Sequence, residues 1–220
     1  MPGPVGILGG TFDPIHYAHL RLAEELADAL DLARVRFVPA SIPPHRASPQ
    51  VSATHRADMV RLACADNARF LLDDRECRRA GPSYTVDTLL ELRAELGSAC
   101  SLCLLMGLDA FLGLTTWSRW ERLFELAHIV IAHRPGFALD PAAVPAALAC
   151  ELDARRAQST RELRQSWAGL VWLQAITPLD ISATAIREAI REQRSPRYLL
   201  PDSVLDYIHR SSLYKDLDAG

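Results

Sequence analysis

The chain has 220 residues, 49% of them apolar and 23% charged, with a formal net charge of -3. Those values suit one domain with a large core and exclude a disordered chain. With no basic block in the sequence, they also exclude a protein whose main task is gripping a nucleic-acid backbone, but not one with a local positive site for a single nucleotide.

In chain order, the start "MPGPVGILGG" lacks the basic head and long apolar middle of a secretion signal. Val5–Gly10 reads as a first strand, and "HLRLAEELADALDL" (19–32) has the three-and-four apolar spacing of an amphipathic helix. A strand follows at 35–40. "SIPPHRASPQVS" (41–52), with three prolines, reads as a mobile loop over the sheet edge. Helix 53–67, strand 68–73, helix 83–96 and strand 101–107 come next, then strands at 127–133 and 170–176 and a helix at 182–193. "RPGFALDPAAVPAAL" is Pro/Ala-rich with room for a short helix, and a last helix follows Pro201. Several strands are apolar almost throughout, as strands covered on both faces are. The alternation predicts an α/β fold: a Rossmann-like, doubly wound parallel sheet with flanking helices. The expectation is a single domain over 1–220, with 182–220 as a C-terminal helical portion. The longest apolar stretch, near "CSLCLLMGL", is too short to cross a bilayer, which points to a soluble, cytoplasmic protein with no membrane partner.

The five cysteines are odd in number and scattered. Cys100 and Cys103 form a C-x-x-C, but they fall in a strand-like apolar run with no second pair to complete a zinc site, so they read as buried small hydrophobes. Lys215 is the only lysine. A central phosphate ligand must therefore be arginine, histidine or backbone unless the tail folds back.

"GGTFDPIHYAHL" (9–20) stands where the first strand gives way to the first helix. In an open α/β sheet, ligands sit beyond the carboxyl ends of the strands at the switch point of the winding. Gly9 and Gly10 allow close backbone approach, the helix N-terminus favours phosphate, and His16 and His19 lie three apart across that terminus. Two imidazoles, a glycine turn and a helix N-terminus make a phosphate site without lysine. The same residues admit a capped turn of no chemical role, or a metal site in which His45 or His55 joins the H-x-x-H pair.

"GGTFDPIHYAHL" resembles the G-G-x-F-D-P-x-H-x-G-H pattern of the nucleotidyltransferase superfamily, and "ISATAIR" (181–187) resembles its second motif, I-S-S-T-x-I-R. "FVPASIPPHR", "SYTVDTLLELR", "MGLDAFLGLTTWSRWERL", "HIVIAHRPG" and "YLLPDSVLDYI" narrow the resemblance to the nicotinate mononucleotide adenylyltransferase family, along nearly the whole chain and in order. Two positions depart from the pattern: Ala18 and Ala183 replace a glycine and a serine.

The resemblance implies transfer of AMP from ATP to nicotinate mononucleotide, giving deamido-NAD and pyrophosphate. It implies His16, His19 and Arg187 as the catalytic groups. ATP would be bound by Gly9, Gly10, Thr11, Phe12, His16, His19, Gly107, Asp109, Ile181, Ser182, Thr184 and Arg187, with Mg2+ carried on the triphosphate. Nicotinate mononucleotide would be bound by Thr11, His45, Arg46, Tyr84, Thr85, Trp117 and Arg134. In that scheme Asp109 accepts from ribose hydroxyls, Trp117 stacks on the pyridine ring, and Trp120 is a core residue. The backbone N–H groups of Tyr84 and Thr85 favour a carboxylate over a carboxamide, and His45 and Arg46 close over the phosphates. Rival readings are an adenylyltransferase for nicotinamide mononucleotide or phosphopantetheine, a non-catalytic nucleotide-binding regulator, and a zinc hydrolase. A homo-oligomer is compatible with the sequence.

Overall fold

The computed structural model describes residues 3–43, 48–136 and 143–215. In chain order the elements are β1 (Val5–Gly10), α1 (Tyr17–Leu30), β2 (Arg34–Pro39), α2 (Ala53–Cys64), β3 (Phe70–Leu72), α3 (Arg75–Arg78), α4 (Thr85–Leu96) and β4 (Leu102–Gly107). There follow α5 (Leu108–Leu112), a 3₁₀ turn (Leu114–Thr116), α6 (Glu121–Leu126), β5 (His128–His133), α7 (Ala146–Arg155), α8 (Thr160–Gln165), β6 (Val171–Ala175), α9 (Ala183–Arg191) and α10 (Asp202–Arg210). No helix among the described residues is long and apolar enough to cross a membrane.

The six strands form one parallel sheet in the order β3-β2-β1-β4-β5-β6. The winding reverses between β1 and β4, so the ligand crevice of such a fold opens beyond Gly10 and Gly107. Successive side chains of a strand face opposite ways, and the core divides accordingly. Leu8, Phe37, Leu105 and Val130 pack with the apolar faces of α1, α2, α9 and α10 on one side. Ile7, Leu104, Ile129 and Val38 pack with α4, α6 and α7 on the other. This is why β4 and β5 are apolar without alternation.

Several boundaries depart from the sequence expectations. β3 has only three residues, because Asn67 ends the preceding segment with a turn: its side-chain oxygen accepts from the Arg69 N–H at 3.0 Å and its carbonyl from Phe70 at 3.0 Å. The same turn stops α2 at Cys64. α4 opens at Thr85 rather than Ser83, since Ser83 is engaged with the loop after β2. Cys100 precedes β4 instead of lying in it and is half-buried, while Cys103 is buried in the strand. α3, α5, α6 and α8 have four to six residues each and are too short to show a helical period. The Pro/Ala-rich segment ends in α7; its residues 137–142 lie outside the described residues.

Candidate active site

β1 ends at Gly10, and the chain turns sharply before α1. Phe12 adopts the left-handed region (φ 50°) and is buried, and the Asp13–Pro14 peptide is cis. The Phe12 ring lies under the Gly10 backbone; a Cβ built on Gly10 would meet it at 2.8 Å. At Gly9 and Gly107 a Cβ would meet nothing within 4 Å. The carboxyl edge of the two central strands is thus open and backbone-lined at the switch point.

His16 is the N-cap of α1, in extended conformation, and Tyr17 opens the helix two residues earlier than the apolar pattern indicates. The His16 and His19 rings stack with centroids 3.8 Å apart and 26° between planes, so the two imidazoles stand together. Phe12 holds His19 edge-on at 5.0 Å. The His16 N–H donates to His19 Nδ1 at 3.3 Å, which leaves the proton of the neutral His19 ring on Nε2. His16 is 5% exposed, and burial pushes its pKa down from 6.5 to about 4, so this ring is neutral at physiological pH.

Arg187, on α9, reaches across to the same turn. Its Nη1 donates to the Asp13 carbonyl at 2.7 Å and its Nη2 to Thr184 Oγ1 at 3.3 Å. Ser182 caps α9, its hydroxyl accepting from the Ala185 N–H at 3.2 Å; Ile181 packs on the core below. The Asp13 carboxylate is itself a junction, accepting from the Gln50 N–H at 2.8 Å and the Tyr214 hydroxyl at 2.7 Å. Among the described residues, two buried side-chain nitrogens have no hydrogen-bond partner, His16 Nδ1 and Arg187 Nε. Each such group costs about 1–3 kcal/mol, and both belong to this one site, which marks it as shaped for something beyond folding.

β4 delivers Gly107 as the N-cap of α5, with Asp109 exposed in its first turn. Tyr84 is the N-cap of α4 and Thr85 its first residue, so the N–H groups of Thr85 and Val86 have no partner within the helix. Trp117 follows the 3₁₀ turn, half-buried against the core. Trp120 is also half-buried, edge-on to Phe124 at 6.2 Å, so it is no more a full core residue than Trp117. Arg134 is exposed just past β5. His45 and Arg46 lie outside the described residues. Ala18 and Ala183 sit half-buried in the first turns of α1 and α9.

Among the described residues, no three His, Cys, Asp or Glu side chains converge; His45, one candidate to join the H-x-x-H pair, lies outside them. His55 instead bonds Tyr207 through Nδ1 at 2.8 Å, and Tyr207 donates its single hydroxyl proton to Asp58 at 2.9 Å.

The sequence reading missed Arg56. This side chain is 1% exposed, and its guanidinium donates to the carbonyls of Thr11 (2.7 Å), Ala40 (2.5 Å), Ser41 (2.9 Å) and Val51 (3.3 Å). A buried arginine in α2 has no sequence signal of its own. Its acceptors are main-chain oxygens brought together only by the fold.

Residues 7–189 match the family model described as cytidylyltransferase-like. A protein of Dechloromonas aromatica named probable nicotinate-nucleotide adenylyltransferase is 54% identical over 98% of this chain and 100% of its own length. One of Halorhodospira halophila with the same name is 54% identical over 96% of this chain and 94% of its own. Among solved structures, a Plasmodium falciparum nicotinic acid mononucleotide adenylyltransferase complexed with NaAD superposes with a TM-score of 0.71 at 19% identity. It covers 96% of this chain and 97% of that one, a likeness of fold.

Proposed function

From the premise that the chain belongs to the nicotinate-nucleotide adenylyltransferases of the cytidylyltransferase-like family, we propose that it transfers AMP from ATP to nicotinate mononucleotide, a step of NAD biosynthesis. One observation carries the reading: the Arg187 guanidinium, from α9, bonds the turn at the carboxyl edge of β1 that leads into the stacked His16 and His19, at the switch point of the sheet.

The nucleophile is a phosphate oxygen of the mononucleotide, largely ionised near neutral pH because a phosphomonoester's second pKa is about 6. No general base is required. The oxygen forms a bond to the α-phosphorus of ATP in line with the breaking Pα–O–Pβ bond, and pyrophosphate leaves. What remains for the protein is positioning and charge stabilisation. Neutral His19 donates from Nε2 to a phosphate oxygen beside His16, and Arg187 supplies a permanent charge to the β/γ-phosphates. Ser182 and Thr184 add donors at the N-terminus of α9, and the open backbone at Gly9 and Gly107 admits the nucleotide. Asp109 accepts from ribose, Trp117 stacks on the pyridine, and the backbone N–H groups of Tyr84 and Thr85, at the start of α4, take the nicotinate carboxylate. Thr11, His45, Arg46 and Arg134 complete the mononucleotide's contacts. Mg2+ enters with ATP, carried on the triphosphate as the substrate MgATP. We assign this work to one nucleotidyltransferase domain over 1–220, with 182–220 as its C-terminal helical portion, acting in the cytoplasm without nucleic acid.

The test is pyrophosphate release from MgATP with nicotinate or nicotinamide mononucleotide, beside His19→Ala. Release that prefers the acid and is lost in the variant is the expected result. Equal release with both substrates removes the α4 carboxylate assignment; none with either removes the function.

A further inference from the structure

Arg56 ties together segments that the proposed reaction must hold at a fixed spacing. Thr11, one of its four acceptors, belongs to the turn that carries the stacked histidines. Ala40, Ser41 and Val51 belong to the loop that leaves β2 and returns to α2. The connection continues beyond the guanidinium. The Ser41 N–H donates to Ser83 Oγ at 2.9 Å, and the Ser83 N–H donates to the Ile42 carbonyl at 3.0 Å. Ser83 is itself buried and directly precedes Tyr84, the N-cap of α4. A continuous run of hydrogen bonds therefore leads from the phosphate turn, through Arg56 and the β2 loop, to the helix N-terminus assigned to the nicotinate carboxylate.

Among the described residues, no carboxylate forms an ion pair with Arg56, and its hydrogen bonds all go to main-chain carbonyls. Burial depresses its pKa, and the nearby Cys77, Asp13 and Tyr214 act in the opposite sense. A neutral residue would serve a plain packing role at less cost in desolvation. What only arginine supplies is a flat, rigid fork whose donors diverge in one plane and fix several acceptors at once.

We infer that Arg56 and Ser83 are positioning residues that set the distance between the ATP-binding turn and the mononucleotide-binding end of α4. The inference rests on the proposed function. Neither residue touches substrate; each acts through the backbone it holds. In-line transfer requires the attacking oxygen and the α-phosphorus in near-attack geometry, and a misplacement of about 1 Å costs on the order of 100-fold in rate. Loosening the bridge should then reduce turnover while leaving each half of the site able to hold its own ligand.

The experiment uses the full chain with Arg56→Lys and Ser83→Ala. Thermal unfolding establishes that each variant is folded, and calorimetric titration measures nicotinate mononucleotide and a non-hydrolysable MgATP analogue separately. Each ligand is expected to bind within about 3-fold of wild type, while kcat falls on the order of 10–100-fold. Amide exchange supplies a readout independent of turnover. Arg56→Lys should speed exchange both at 11–13 and at 83–86, and Ser83→Ala at 41–42 and 83–86 only. Unchanged kcat in folded Ser83→Ala overturns the inference, and so does a loss of kcat matched by equal losses of both affinities and of thermal stability. Should Arg56→Lys fail to fold, Ser83→Ala alone decides. An inactive wild-type chain would instead defeat the functional reading, and the exchange pattern would still test the bridge.

Discussion

Arg187 Nη1 donates to the carbonyl of Asp13 at 2.7 Å, joining α9 to a turn 174 residues earlier in the chain. The two motifs that carry the nucleotidyltransferase resemblance thus form one hydrogen-bonded unit. The contact also fixes the plane of the guanidinium, so its charge is held in place before any phosphate arrives. Arg187→Lys keeps the charge but loses the fork that spans Asp13 and Thr184. The expected result is a fall in kcat of about 100- to 1000-fold, with folding stability changed by no more than ~1 kcal/mol. Steady-state pyrophosphate release and urea denaturation measure the two effects; a loss confined to stability would contradict it.

Burial of His16 predicts an acid-sensitive fold. Its pKa is about 4 in the folded chain against 6.5 when exposed. Between these values the unfolded chain binds a proton that the folded chain refuses, so stability falls as pH drops from 6.5 towards 4. The full effect is on the order of 3 kcal/mol. Burial lowers the His128 pKa as well, so it adds a slope of the same sign. His16→Asn should remove one part of the slope and keep the other. Denaturation midpoints at several pH values across this window test it, and identical slopes in both proteins would refute the assignment.

The glycines at the strand ends predict opposite consequences for one added methyl. In Gly10→Ala the new carbon would lie 2.8 Å from the Phe12 ring, which is wedged between His19 and Phe37. The cost should be ~1–3 kcal/mol of stability, with activity falling as His19 shifts. Gly107→Ala meets nothing within 4 Å, so the melting temperature should hold. The KM for ATP should rise roughly 10-fold or more as the methyl enters the nucleotide's path. Should both variants lose only stability, the open edge is not the ATP site.

Selectivity for the acid can be tested with a backbone change. Thr85 is the first residue of α4, where proline is tolerated because its missing N–H has no helical partner. Tyr84 already has the extended conformation that a following proline requires, at φ -97° and ψ 125°. Thr85→Pro should therefore fold while deleting one donor to the nicotinate carboxylate. The KM for nicotinate mononucleotide should rise by about 10-fold for one lost charge-assisted bond, narrowing the margin over the amide. Competition between the two mononucleotides measures it.

The parallel sheet and the β1–α1 turn were legible because their signals are local: unbroken apolar runs, a glycine pair, and histidines three apart at a helix start. Ser182 was readable for the same reason, as the cap of a helix, while the start of α4 reads at Ser83 in the sequence and falls at Thr85 in the fold. The short helices α3, α5, α6 and α8 were not, since one turn or so of chain carries no period to detect. Arg56 was hidden more deeply. It stands in α2 four residues after Ser52, with Arg61 in the same helix, and nothing local tells which arginine turns inward. The Ser41–Ser83 bridge is likewise a meeting of distant segments, made by the fold and absent from any motif.

The Tyr214 hydroxyl closes on the Asp13 carboxylate across 201 residues of sequence. During synthesis the two residues, 201 positions apart, are made roughly 10–40 s apart at ordinary translation speeds. The nascent turn thus waits for Tyr214 to be made before this hydrogen bond can form. A chain released by premature termination just short of Tyr214 would retain every nucleotide contact assigned above and still lack the fastening of the loop that presents them. Fastening of the phosphate turn is in this way tied to the synthesis of a residue 201 positions downstream.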